Sequence, residues 1–214
     1  TSLRSGEDIF QEIMRVFPVT LKLAVFSTIF STAFGILLGV ISAVHRGKFS
    51  DNIIRVLTLI SISMPSFFLG LVFIIVFSLK LGWLPSYGSE TWKNFIMPVV
   101  SLGLMELGYI ARTTRSSMLD VLGQDYIRTA RAKGLKERVV IYSEALRNAL
   151  IPIATSVGLR FGTLLAGAAI TETVFSLRGI GLTMIEAVTI RDYTYIQSCI
   201  LVVAVVFVLV NTLV

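Results

Sequence analysis

Three sets of residues in this chain have types or spacings that bear on chemistry. They are an alanine-dotted basic run, DYIRTARAKGL at 125–135, two charges set inside apolar stretches, Glu106 and Arg160, and two singletons, His45 and Cys199. A basic run suits nucleic acid, an anionic membrane face or a protein partner, so its surroundings must decide among them. His45 has no second His or Cys nearby, which leaves neither a metal site nor a Ser-His-Asp arrangement, and it reads as an interfacial residue. Cys199, beside Ile200 and Leu201, reads as a small buried or lipid-facing hydrophobe; as the only cysteine it excludes an internal disulfide. Gly47-Lys48 and the reversed Lys133-Gly134 lack the other glycine and the hydroxyl of a G-x-x-x-x-G-K-[ST] phosphate loop. With no paired carboxylates to assemble either, the chain offers no catalytic constellation and no cofactor site of its own.

The elements that must position these residues follow from composition. Of 214 residues 55% are hydrophobic and only 15% charged, with mean hydropathy +0.83, which speaks against an ordinary soluble domain. Leu23 to Val44, Val56 to Leu79 and Tyr193 to Val214 are 22, 24 and 22 residues without a charge. At ~1.5 Å per residue each can cross ~30 Å of hydrocarbon. Phe95 to Ala111, holding Glu106, and Ala149 to Thr171, holding Arg160, complete a set of five transmembrane helices in an all-α, polytopic membrane protein. Residues 1–22 then form an extracytoplasmic segment and 23–214 the membrane domain, with a loop at 112–150. The first span is too long for a signal-peptide core and lacks its flanks, so no cleaved leader is expected. Val214 ends the last span without a basic or aromatic flank, which predicts further sequence at both ends.

Orientation comes from Lys and Arg. Eleven fall on one side: Arg46, Lys48 and Arg55 between the first two spans, and Arg112 to Arg147 between the third and fourth. Seven fall on the other, including Arg4, Arg15, Arg178 and Arg191, so the loop that holds DYIRTARAKGL is cytoplasmic and the amino terminus is outside. Outside, LGWLPSYGSETW places Trp83 and Trp92 around a Pro85 and Gly88 turn as interfacial anchors.

The 34 residues from Thr113 to Leu146 lack proline and have only two glycines, too long and too helix-compatible for a simple turn. Asp125 is placed to N-cap a helix of about two turns, and Gly134 to end it in a left-handed conformation. Ile127, Ala130 and Gly134 share one small apolar face, flanked by Arg128 and Arg131, which suits close approach of another surface. A second run, Glu137 to Leu150, leads into the next span through Pro152. Three readings stay open for the loop: a solvated segment that only fixes topology, a site for anionic lipid, or a docking element for a cytosolic partner. Nucleic acid is disfavoured, because the basic residues are interleaved with apolar ones and tethered to a bilayer.

Inside the spans, Glu106 lies about a turn and a half from Arg112 and can snorkel toward the cytoplasm in a structural role. Arg160, nearer mid-span, either pairs with Glu106 or lines a path that favours a carboxylate-bearing substrate. Pro65 frees a backbone carbonyl mid-span, as a path-lining helix or a packing kink would. Gly158, Gly162 and Gly167 suit close helix packing. A stand-alone channel or ion-coupled carrier would need several intramembrane ionisable groups or paired broken helices, and neither stands out.

DYIRTARAKGL followed by ALRNALIP resembles the cytoplasmic loop of ABC-importer permeases of the dipeptide, oligopeptide and nickel group. The resemblance runs almost without gaps from Thr114 to Gln197, includes SMPSFFLGL (Ser63 to Leu71) and LGWLPSYG, and extends to the Gly6 segment before FPVTLKLA. Of the general pattern E-A-A-x-x-x-G followed nine residues on by I-x-L-P, only Ala130, Gly134 and Leu146 remain; Arg128, Thr129, Glu144 and Arg147 replace the rest. The R-T-A-R-A-K-G form is that of the peptide and nickel subgroup, while Glu144, Arg160 and Arg178 stand where it tends to have His, Gln and Pro. The resemblance implies a type I ABC importer permease fold with six spans, one of them before Thr1, in a bacterial or archaeal inner membrane. It implies as partners a second homologous permease, two cytoplasmic ATPase subunits that carry ATP and Mg, and an external binding protein that largely sets the cargo. ATPase coupling would fall to Asp125, Arg128, Ala130, Arg131, Gly134 and Leu135, and the translocation path to Pro65, Glu106 and Arg160, with no metal held by the chain.

Overall fold

In the computed structural model, residues 9–213 are described. The Gly6 segment and Arg4 lie outside them. The elements are α1 (Ile9–Val44), α2 (Phe49–Ser63), α3 (Ser66–Phe73) continued by a π-helical turn (Ile74–Lys80), α4 (Lys93–Leu122) and α5 (Asp125–Ala132). There follow α6 (Glu137–Val139), a π-helical stretch (Val140–Ala145), α7 (Leu146–Val174), α8 (Ile180–Thr189) and α9 (Tyr193–Leu213). No strand occurs among the described residues. Among the described residues, four helices are long and apolar enough to cross a membrane, five when the bent pair α2–α3 counts as one.

That pair covers the second span read in the sequence, Val56 to Leu79, and is broken at its proline. Its halves meet at 98° across Met64 and Pro65. Pro65 has no N–H to continue the ladder, and the residue before a proline is pushed out of the helical region. Met64 accordingly is extended, with φ −88° and ψ 123°, and Pro65 begins the new helix as its N-cap. At the amino end, residues 9–22, read as an extracytoplasmic segment, are helical and continuous with the first span through Pro18. Ile9, Ile13 and Val16 are buried against Ile180, Ala187, Tyr195 and Cys199. Cys199 is thus a core hydrophobe, in keeping with its apolar neighbours.

The centre of the fold is the packing of α1 along α4. A Cβ on Gly39 would sit 2.7 Å from the Ala111 carbonyl oxygen, and one on Gly103 would sit 2.8 Å from Phe30. Close backbone approach of this kind is how helices associate where lipid removes the usual hydrophobic drive. Of the three glycines singled out on α7, Gly162 has a tight neighbour in Phe207 of α9, while Gly167 has only ordinary contact with Leu102. One apolar core holds Leu23, Met97, Leu102, Leu164, Ala168, Phe175 and Leu177. Another, at the basic end, joins α1, α4, α5, the π stretch and α7. Exposed Phe, Leu, Ile and Val line α1, α2, α3 and α9, as expected of surfaces that meet lipid or other subunits.

Candidate functional site

Two places hold the predicted residues, the basic end and the α4–α7 contact. At the basic end, α5 spans the eight residues DYIRTARA. Its N-cap is Gln124, in extended conformation, and Asp125 is the first helical residue with no side-chain cap bond. The expected Asp125 cap is therefore corrected: an acidic residue in the first turn acts on the helix dipole from inside the helix. The carboxyl end follows expectation. Gly134 has φ +76°, its N–H donates to the Arg131 carbonyl (2.9 Å), and the Leu135 N–H donates to that of Ala130 (3.4 Å), a Schellman ending.

The small apolar face points elsewhere than the sequence suggested. Ile127 is fully buried and Ala130 nearly so, packed with Met118 of α4, with Val140, Ile141 and Ala145, and with Ala149 and Ile153 of α7. Periodicity shows that a helix has an apolar face but not what covers it, and here the chain's own core does. Asp125 and Arg128 stay exposed, pairing weakly with each other at 3.4 Å. Arg131 pairs with Glu137 at 2.8 Å, and that hydrogen-bonded carboxylate raises the guanidinium above its ordinary value. Asn148 Nδ2 donates to the Tyr126 hydroxyl (3.0 Å), tying α5 to the start of α7. Tyr126 and Leu135 are exposed, and nothing lies near the open side of Gly134.

At the α4–α7 contact, Glu106 is 1% exposed, and its Oε2 lies 3.7 Å from Arg160 Nε. Glu106 does not snorkel. It sits on the α4 face that also buries Leu102, Gly103 and Ile110, turned into the protein rather than along it. The Arg160 guanidinium carbon lies 3.6 Å from the centre of the Tyr109 ring. Pro65, by contrast, is exposed at the α2–α3 break; the structure brings Glu106 and Arg160 together and places no bond between them and Pro65.

Three buried carboxylates among the described residues escaped the sequence reading, one of them Asp192, which accepts from the Tyr195 N–H (3.1 Å) at the start of α9. Asp51, in the first turn of α2, accepts from Arg115 Nε and Nη2 (2.9 Å each), from Ser42 Oγ (2.6 Å) and from the Gly47 N–H (2.9 Å). Glu172, at the far end of α7, accepts from Thr20 Oγ1 (2.6 Å) and from the Leu182 N–H (3.0 Å). Thr20 Oγ1 in turn accepts from the Ile180 N–H (2.8 Å), so α1 and α7 together cap α8. Glu172 falls one residue beyond the apolar run ending at Thr171, and Asp51 resembled an ordinary loop charge. No group of three metal-ligating side chains occurs among the described residues.

The binding-protein-dependent transport system inner membrane component family matches residues 35–214, most of the chain. The chain belongs to that family. A glutathione transport system permease protein of Pectobacterium atrosepticum is 42% identical over all of this permease and 70% of its own length. A dipeptide transport system permease protein of Alkalihalophilus pseudofirmus is 43% identical over 99% of this chain and 72% of its own. A di/tripeptide counterpart in Pseudomonas aeruginosa is 42% identical, over 98% and 71%. Among solved structures, an inward-facing form of the MetNI methionine ABC transporter shares the fold with TM-score 0.82, 20% identity, and coverage of 97% of this chain and 94% of that one. A chain of an amino acid ABC transporter with histidines gives TM-score 0.69 at 17% identity, over 95% and 91%. The permease is thus a multi-pass inner-membrane subunit of an ABC importer, with the importer-permease fold that its resemblance implied.

Proposed function

We propose that this permease moves short peptides, and that α5 couples it to ATP hydrolysis on separate subunits. Support for the cargo is the identity of 42–43% with permeases whose names specify glutathione, dipeptides and di/tripeptides. Support for the coupling is the way α5 is mounted. Ile127 and Ala130 sit in the one core that also holds Met118 of α4 and Ala149 and Ile153 of α7, so force on α5 reaches two spans directly. The opposite side offers Asp125, Tyr126, Arg128, Arg131 and Leu135 to a partner's groove. Ala130 and Gly134 serve the mount, one by filling the core without bulk and the other by ending the helix.

In this reading the chain itself is not an enzyme. ATP and Mg²⁺ bind two cytoplasmic ATPase subunits, a second homologous permease completes the path, and an external binding protein delivers the cargo. Pro65, Glu106 and Arg160 belong to the path. Cross-linking tests the coupling: Arg128→Cys, with native Cys199 sealed in the opposite core, should join an ATPase subunit through a short bifunctional reagent. An assembled, ATP-hydrolysing complex in which that cysteine cross-links to nothing would falsify it.

A further inference from the structure

The α1–α2 turn at the basic end is held firmly and carries unbalanced charge. Gly47 (φ +76°) turns the chain, the Lys48 N–H donates to the His45 carbonyl (2.9 Å), and the Gly47 N–H donates to Asp51 (2.9 Å). Asp51 is the one acidic residue between Glu12 and Glu90, and it is turned inward, 1% exposed and matched by Arg115. Arg46, Lys48 and Arg55 are all exposed, and among the described residues none of them forms an ion pair. The fold thus withdraws the anion of this stretch and leaves three cations at the surface, on the side where the excess of Lys and Arg places the cytoplasm.

From the turn, α2 runs on with two unlike sides. Asp51, Ile54 and Thr58, at steps of three and four, are buried, and Thr58 and Ile62 pack on Gly108 of α4. Phe49, Ile53, Val56 and Ile60, at steps of four, three and four, line the opposite side and are exposed, Phe49 to 80%. Helices that associate within a bilayer do so through small residues, as at Gly108, whereas a stripe of Phe, Ile and Val matches acyl chains in polarity. The stripe begins beside Lys48 and continues into the charge-free run that starts at Val56. Cations and apolar stripe therefore stand in the order of a phospholipid's own parts, head group first and chains after.

We propose that the α1–α2 turn and the exposed side of α2 hold an anionic phospholipid of the cytoplasmic leaflet. Its phosphate lies against Arg46 and Lys48, and an acyl chain follows Phe49, Ile53, Val56 and Ile60. Charge selects the head group. With Asp51 matched by Arg115, the turn has no free carboxylate for the ammonium of a zwitterionic lipid, while each cation favours an anionic one about fivefold. Arg55, further along α2, adds to the same field. Val40 and Ala43, just before the turn, share the core that holds Ile127 and Ala130, so the lipid steadies the footing on which α5 is mounted.

The test uses the assembled importer with its ATPase subunits in phosphatidylcholine bilayers, to which phosphatidylglycerol or phosphatidylcholine with brominated acyl chains is added. Phe49→Trp reports quenching, with Trp83→Phe and Trp92→Phe removing the chain's native tryptophans; the signal is the difference from the same complex with Phe49 unchanged. Quenching should half-saturate at an about tenfold lower share of brominated phosphatidylglycerol than of brominated phosphatidylcholine, and Arg46→Gln with Lys48→Gln should bring the two within about twofold. Equal quenching by both lipids before those substitutions overturns the proposal, and so does a preference that survives them. Quenching by neither lipid in a complex that hydrolyses ATP overturns it in favour of a protein partner over α2. A preference that inorganic phosphate removes, and chloride at the same ionic strength does not, marks a site for free anions and overturns it too.

Discussion

Both α4-centred ion pairs of this permease set a carboxylate with 1% exposure against an arginine, yet they are built differently. Asp51 is saturated: a two-pronged Arg115, a serine hydroxyl and a backbone N–H occupy its oxygens at 2.6–2.9 Å. Glu106 is not: its Oε2 has an arginine at 3.7 Å and no hydrogen bond. The first pair clasps the α1–α2 turn onto α4 at the basic end, where a fixed geometry holds the ends of three helices together. The second links α4 to α7 within the apolar spans, through a looser contact at 3.7 Å backed by the Tyr109 ring. A charge pair whose bonding directions are filled fixes the geometry of the helices it joins, and a looser one fixes it less.

Substitutions can break this contrast. The largest effect is expected from Arg115→Leu, which strands the Asp51 carboxylate. Arg115 itself is partly exposed, at 24%, so the loss should be about 3 kcal/mol, at the low end for a broken buried pair. Thermal unfolding of the purified permease would show it, and an unchanged midpoint would mean the clasp carries no load. Asp51→Asn keeps the shape but weakens charge-assisted bonds, and should cost about 2 kcal/mol in the same measurement. Glu106→Gln should cost less, about 1 kcal/mol, because the Arg160 it leaves behind is 31% exposed and keeps the Tyr109 ring. Equal stability losses at the two sites would erase the contrast. Arg128→Ala, in the exposed Asp125–Arg128 pair, sets the floor: the unfolding midpoint should not move, and only the salt dependence of assembly with the ATPase subunits should change.

What could be read in the sequence was what lipid or local geometry dictates. Charge-free runs gave the spans, since nothing else satisfies a backbone in hydrocarbon, and Gly134 announced its left-handed turn from composition alone. The Asp51–Arg115 clasp was hidden because its members stand 64 residues apart and each looks like an ordinary loop charge. Helix α8, ten residues long, is too short to signal a crossing and is recognised only by its cap from Thr20 and Glu172. Proline announced a break in the second span but not its angle, which depends on what the two halves pack against. The apolar face of α5 was visible, yet its occupant, the core between α4 and α7, is a matter of tertiary structure.

The break at Pro65 also bears on how the protein is made. Residues 56–79 have no charge and are long enough to enter the bilayer as one crossing before the rest of the chain exists. The final 98° geometry draws on packing that arrives later: Ile62 lies on Gly108 of α4, and Gly70 lies against Phe175 just past α7. Insertion and the final angle thereby draw on different parts of the sequence, the first on hydropathy and the second on helices that follow in the chain. A ribosome-bound chain that stops short of α4 should already be broken at Pro65, and only the final angle should date from its pairing with the later spans.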